Sequence, residues 1–391
     1  MNMIQEVHTT EAFEKLKDTW DQVLESSSAN CFFLTWEWLF TWWTHLAGQR
    51  KLFILTVRSG DETIGIAPLV ERPVRFGASL RTLEFLGSGA IGSDYLDLIV
   101  RSGKEIEAIE SIAGYLGERK LMLALNQLGS SALAWRLART LEERSGYRPF
   151  PLKTDVCPYI DLAGQTWTSY LSTLGSSHRA NLLRRCKQLN REFEMRFARA
   201  SSEETRREFL AILLELHRKR WSEKGSSEAF STPDMIAFHH ELSLLALERG
   251  WLRLFVLWLN NRPAAALYGF CRGGRFSFFQ SGLDPEYSRY SVGLVTMGLA
   301  IKSALEEGAE EYDLLHGNES YKSLWARHER GIHKLELYPR GVTGLVQGNI
   351  SHAGHLARKI GWTILPKAMA EKIATARRMA QLRGHYATQS R

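Results

Sequence analysis

The residues of this chain whose types and spacing could do chemistry lie between Gln280 and Trp325. A β-rich run ends in Gln280-Ser281-Gly282. A loop follows, then a helix opening at Gly293, then a second β-rich run, Tyr312–Leu315, ending in His316-Gly317. The first amides of a helix have no acceptor within it and carry partial positive charge. A helix that opens just after a strand therefore suits a phosphate or pyrophosphate, and the arrangement is a candidate cradle for a ligand of the acyl-CoA kind. His316 stands where a strand ends, a common station for working side chains in open α/β sheets, and it titrates near neutrality, so it could act as a base. The alternative is a structural histidine bonded to backbone. Asp284-Pro285 reads as a turn signal or, through Asp284, as a general base.

The elements that must position these residues repeat. Phe53 opens FILTVRSGDETIGIAPLV and Phe255 opens FVLWLNNRPAAALYGF. Each is a β-rich run, a polar turn and a second β-rich run. A further run follows in each half, from Arg81 and from Arg275. The first half continues through a strand at Tyr95–Val100, a helix near Lys104–Leu116, a strand at Leu121–Leu125 and a helix near Ser131–Glu143. Two copies of one α/β unit are expected, over residues 1–165 and 166–340. Between the sheet segments, Leu182, Cys186, Leu189 and Phe193 form one helical stripe, with Arg184, Lys187 and Arg191 opposite. Phe209, Leu213 and Leu216 mark a second helix running into His217. A loop is expected at Lys224–Pro233, then a helix from Asp234 to Gly250. Trp36, Trp38, Trp42 and Trp43 read as core, with a sugar-stacking platform as the alternative.

The 391 residues are 44% hydrophobic and 24% charged, which suits two folded domains and argues against disorder. The net charge is +7. Residues 351–391 hold eight Lys and Arg against one Glu, so the tail carries the whole surplus and residues 1–350 are neutral. That weakens a nucleic-acid reading of the whole chain, and no DNA partner is expected. Residues 341–391 read as a basic tail with an amphipathic helix near Lys367–Leu382, either solvated or in weak contact with a membrane surface. Four isolated cysteines, no CxxC, no HExxH, no leader and no long apolar run point to a cytoplasmic protein without a metal.

Eight segments, in order, support a resemblance: FLTWEWLFTWW (Phe33–Trp43), IGIAPL (Ile64–Leu69), LEFLGSG (Leu83–Gly89), SDYLDLI (Ser93–Ile99), LHRKRW (Leu216–Trp221), GWLRLFVL (Gly250–Leu257), QSGLDP (Gln280–Pro285) and GNESYKSLWA (Gly317–Ala326). With them the chain resembles the GNAT acyltransferase superfamily, and within it the bacterial CelD-like family of cellulose and exopolysaccharide biosynthesis. It is also similar to the Fem-type aminoacyltransferases of peptidoglycan assembly.

The resemblance implies an α/β fold of two tandem GNAT-like domains, each a mixed sheet flanked by helices, with the donor in the second. It implies a transferase moving an acetyl or similar acyl group from acetyl-CoA or another acyl-CoA to an amine or hydroxyl of a sugar or envelope precursor. Aminoacyl-tRNA as donor is the alternative, and a non-catalytic binding protein on the same fold is a third reading. By the GNAT pattern, the backbone of Gln280, Ser281 and Gly282 lies along the pantetheine arm, with Gly282 allowing close approach. The phosphate loop falls on Ser291, Val292, Gly293 and Leu294, with Arg289 adding charge. Only Gly293 fits the family's spacing, since Tyr290 and Val295 depart from it. The Fem-type pattern puts Tyr321-Lys322 at a position where Lys322 could hold a phosphate or an oxyanion and Tyr321 could protonate a leaving thiolate.

Overall fold

The computed structural model describes residues 2–73, 81–89, 91–222 and 230–341. The expected tail and most of the Lys224–Pro233 loop lie outside them.

Fifteen strands are present among the described residues: β1 (Met3–Val7), β2 (Lys51–Leu52), β3 (Ile54–Ser59), β4 (Glu62–Ala67), β5 (Leu69–Glu71), β6 (Thr82–Phe85), β7 (Ile99–Val100), β8 (Met122–Gly129), β9 (Arg148–Asp161), β10 (Met195–Arg199), β11 (Leu252–Leu259), β12 (Arg262–Arg272), β13 (Arg275–Leu283), β14 (Glu311–Asp313) and β15 (His328–Tyr338). The helices are α1 (Thr10–Glu14), α2 (Lys17–Glu25), α3 (Trp36–Leu46), α4 (Glu105–Arg119), α5 (Ala134–Ser145), α6 (Trp167–Thr173), α7 (Ser176–Glu192), α8 (Glu203–Ser222), α9 (Pro233–Glu248), α10 (Val292–Glu306) and α11 (Lys322–Trp325). None is long and apolar enough to cross a membrane.

The expected hairpins form with the turns the sequence supplies. β3 and β4 pair around Gly60, and β11 and β12 pair around Asn260-Asn261, both of which take positive φ. A four-stranded sheet runs β1-β3-β4-β7. A second sheet of eleven strands runs β10-β11-β12-β13-β14-β9-β15-β8-β6-β5-β2. The two halves of the chain are therefore joined edge to edge. β9, before residue 165, pairs with β14 and β15, while β15 pairs with β8 of the first half. A cut at 165 divides the chain without dividing the long sheet.

The core is shared in the same way. Phe32 stacks on Phe270 of β12 with ring centroids 3.9 Å apart, and Trp38 meets Phe238 of α9 and Phe279 of β13. Trp38 and Trp42 are fully buried, so the aromatic segment is core, and only Trp43 of the four is half-exposed. Buried Glu37 accepts from Lys17 and Arg249, tying α3 of one half to the end of α9 in the other. The second half contributes α7 and α10, which bury the expected stripe of Leu182 and Leu189.

His239 on α9 is enclosed by Phe230, Phe238, Tyr268 and Phe279, and neither ring nitrogen has a partner among the described residues. Burial holds its pKa down, to about 3. The unfolded chain therefore takes up a proton near pH 6.5 that the folded chain refuses, and this group removes stability as pH falls below that value. Buried Asp97 and Asp313, pushed up to about 7 and about 6 by burial, pull the opposite way over part of that window. The contribution of His239 is thus read as a difference. The Tm of His239→Phe, relative to the parent, should rise as the pH is lowered from 7 to 5. A difference independent of pH would contradict it.

Candidate active site

The site forms where two parallel strands part. β13 pairs with β14 only over Arg275–Ser277 and Glu311–Asp313; β13 then runs on to Leu283 while the other chain turns away at Leu314. On its other edge β13 carries a bulge. Tyr268 faces Gln280 and Gly269 faces Phe278, which leaves Phe279 without a cross-strand partner. A bulge re-aims the strand locally and is common beside active sites.

Past the wedge, Asp284 caps a 3-10 turn over Pro285–Tyr290, and Ser291 adopts a left-handed conformation before α10 begins at Val292. The amides of Val292 and Gly293 have no acceptor among the described residues. That of Leu294 bonds back to Ser291 O at 3.0 Å. Two amides at the head of a fifteen-residue helix are thus left for an acceptor from outside, at the place where the family pattern implies a phosphate. Arg289 lies just ahead of it, its guanidinium over the Tyr290 ring and donating to the Tyr290 hydroxyl.

Across the wedge stands His316. Its Nδ1 lies 2.9 Å from both carboxylate oxygens of Asp94, and its backbone N–H donates to Asp94 Oδ2 at 3.0 Å. Asp94 is fully buried, and an ionised carboxylate only accepts, so Nδ1 carries the proton and Nε2 presents a lone pair. Nε2 has no partner among the described residues, and the side chain is 38% exposed. The hydrogen bond that His316 donates to Asp94 raises the pKa of His316 above its ordinary value, against the opposing pull of burial. A buried carboxylate, an oriented imidazole and a free nitrogen facing an opening are what a general base for acyl transfer requires.

The turn carrying His316 is fastened at every amide. Leu314 N–H donates to Pro158 O, Leu315 N–H to Asp313 Oδ1, His316 N–H to Asp94 and Gly317 N–H to Val156 O. Leu315 sits at φ 57° and Gly317 at φ 122°, conformations that need such support. Lys322 adds the rest. Its buried Nζ donates to Leu315 O at 3.1 Å and His316 O at 2.7 Å, and pairs with Glu319 at 3.0 Å. An ammonium has three protons, and these three acceptors engage them all. Lys322 thus clamps the His316 turn, and its ammonium has no proton to spare here for the phosphate or oxyanion that the family resemblance implies. Lys322→Met should lower turnover about tenfold or more, because a misplaced base loses its reach. It should leave acyl-CoA binding, read by thermal shift, intact. Loss of the shift would return Lys322 to the donor site.

Two further expectations change. Gly282 does allow a close approach, but of protein: a Cβ there would lie 2.6 Å from His217 N and 2.8 Å from the Leu216 carbonyl carbon, both in α8. Asp284 accepts from Lys219 Nζ at 2.9 Å and from the Glu286 amide. Burial raises its pKa, yet these bonds outweigh burial and leave it below the ordinary value, so it is a turn cap and a poor base. Gln280 Oε1 is taken by its own neighbour's amide, and Ser281 Oγ accepts from Arg220. Tyr321 heads α11, about one-third exposed, with burial pushing its phenol pKa up.

The residue missed by sequence reasoning is Asp94. Tyr95–Val100 was expected to be a strand, yet only Ile99–Val100 is one. β6 and β8 of the first half also part after two parallel pairs, Thr82 with Met122 and Leu83 with Leu123. Residues 93–98 fill that second wedge. Leu96 N–H donates to Gln127 O, Gln127 donates to Ser93 O and to Asp94, Trp38 donates to Ser93, and Leu96 and Leu98 are buried. The first half plugs its own opening and sends Asp94 and Tyr95 across to the second. There the Tyr95 hydroxyl donates to Asp313 at 2.7 Å. The SDYLDLI segment was visible in the sequence, but nothing local marks which acid crosses between halves.

Residues 176–323 match the acetyltransferase (GNAT) domain. The match runs from the first residue of α7 past Lys322 and so takes in the wedge, the α10 amides and His316. Solved structures with the same fold span both halves. FemX superposes with a TM-score of 0.57 at 12% identity, covering 84% of this chain and 96% of that one. The C-terminal domain of a proposed lysylphosphatidylglycerol synthetase from Agrobacterium fabrum gives 0.52 at 10% identity, with 87% and 96% covered. L-PGS from Bacillus licheniformis gives 0.51 at 15%, with 85% and 95% covered. At such identities the likeness is one of fold. No curated protein sequence matches the chain. Among the described residues no group of His, Cys, Asp or Glu is placed to hold a metal ion.

Proposed function

We propose that the protein is an acyltransferase that moves an acetyl or similar acyl group from acyl-CoA to an amine or hydroxyl of a sugar or envelope precursor. The observation that carries this reading is the buried Asp94 holding His316, with Nε2 free, across the β13–β14 wedge from the unpaired amides of α10. The donor phosphates would rest on Val292 and Gly293 N–H, and the thioester would reach the Phe279 bulge. His316 Nε2 takes the proton from the acceptor as its nitrogen or oxygen attacks the thioester carbonyl. The tetrahedral intermediate collapses, the C–S bond breaks, and the thiolate leaves with a proton. A phenol with a raised pKa is too weak an acid to protonate a thiolate outright, so Tyr321 serves by hydrogen bonding while His316 returns the proton it took. The sugar acceptor rests on the CelD-like resemblance.

A second donor has one observation in its favour. α7 carries Arg179, Arg184, Arg185, Lys187 and Arg191 against Glu192 alone, and it packs beside α10 and the 3-10 turn. A run of cations there also suits a longer polyanion such as aminoacyl-tRNA. A thermal-shift panel with acetyl-CoA, longer acyl-CoAs, CoA and charged tRNA separates the two, since a ligand of the native state raises Tm. Acyl-CoA should stabilise the parent and not Gly293→Val, whose side chain crowds the amides. A shift with tRNA alone selects the second donor, and no shift with either removes catalysis from the reading.

A further inference from the structure

A cavity of about 570 Å³ opens in the first half, far in sequence from His316, between the end of β1 and the β2 edge of the long sheet. Its size falls in the range of small-molecule sites. The Trp43 ring and Phe53 form its apolar wall. Trp43 is the one half-exposed tryptophan of α3, with its indole N–H fixed on Thr10.

The other walls are cationic. Arg50 spends Nε on Glu84 and one terminal nitrogen on Ala47 O, leaving Nη2. Arg81 spends Nε and Nη2 on Glu71, leaving Nη1. Lys51 is exposed, stands opposite Glu71 across the β2–β5 pairing, and makes no hydrogen bond among the described residues. The carboxylates do not balance this set. Glu84 is shared between Arg50 and Arg72, and Glu71 is bonded by Arg81. Arg50, Lys51, Arg72 and Arg81 against Glu71 and Glu84 leave two positive charges in surplus. Like charges gathered at one cavity oppose folding unless a ligand or salt offsets them. Here three cationic side chains, each with N–H groups unbonded among the described residues, line one space beside an aromatic wall. Guanidinium forks match carboxylate and phosphate geometry, and an aromatic face suits a sugar ring.

We infer that this cavity is a binding site for an anionic sugar, a sugar phosphate or a uronate, separate from the acyl-transfer site. The anion is held by Arg50, Lys51 and Arg81 and the ring lies on Trp43.

Isothermal titration of the full chain with glucose 6-phosphate, glucuronate, glucose and inorganic phosphate tests this. The anionic sugars should bind at least tenfold more tightly than glucose. Lys51→Glu, which reverses the charge at an exposed position and is checked for folding by circular dichroism, should weaken them tenfold or more. Trp43→Leu should weaken the anionic sugars and leave inorganic phosphate unchanged. Glucuronate binding better than glucose 6-phosphate selects a carboxylate as the natural anion. Binding equal to that of glucose, or unaffected by Lys51→Glu, overturns the site. Inorganic phosphate binding as tightly as glucose 6-phosphate removes the sugar from the assignment.

Discussion

Replacing His316 with alanine should lower turnover by roughly a hundredfold to ten-thousandfold, the usual contribution of a positioned general base. The readout is thiol release from acetyl-CoA in the presence of amine and hydroxyl acceptors. The imidazole is not part of the core, and the turn beneath it is held by backbone bonds and by Lys322, so the variant should fold and still bind acyl-CoA. Asp94→Asn gives the sharper result. Asp94 raises the His316 pKa by hydrogen bonding to the protonated ring, so the active, neutral form is reached only above the ordinary histidine value of about 6.5. With asparagine that support is gone. The acid limb of the kcat/KM profile should move to lower pH while the maximum rate falls. An unchanged acid limb would show that His316 is not the titrating base.

Gly282→Ala should destabilise the protein by about 2–3 kcal/mol, as overpacking against backbone does. The added Cβ would meet His217 N at 2.6 Å and Leu216 atoms at 2.8 Å, so α8 as a whole must retreat from β13. In a protein of this size the Tm should fall by roughly 2–4 °C. Gly293→Ala is the control. Its Cβ would meet only Leu283 Cδ2 at 3.3 Å, the movable end of a side chain, in the first turn of a helix. It should fold as well as the parent. If Gly282→Ala instead keeps its Tm and loses acyl-CoA binding, the strand is flanked by ligand where the structure places α8.

Much of the fold was legible because its cause is local. Polar turns at Gly60 and Asn260-Asn261 closed the hairpins, and the Leu182–Leu189 spacing placed α7 on the core. The helix at Gly293 was legible too, since a glycine after a strand and turn is a boundary signal of its own. The joined sheet was not. β9 and β15 are ordinary strands in sequence, and only long-range pairing shows that each half lends an edge to the other. The same reason hid Asp94 and misread Lys322. His316 was proposed from its place at a strand end, but its partner stands 222 residues earlier in the chain. Lys322 was read as facing a ligand because the family comparison fixes its position, and only the fold shows which acceptors surround its Nζ.

A crystal structure with a non-hydrolysable acetyl-CoA analogue tests the central claim most directly. The account predicts the pyrophosphate on the amides of Val292 and Gly293, the pantetheine arm in the β13–β14 wedge, and the thioester carbonyl carbon so placed that an acceptor atom fits between it and His316 Nε2. An analogue bound elsewhere, or bound there with His316 turned off Asp94 and away from the carbonyl, would contradict it.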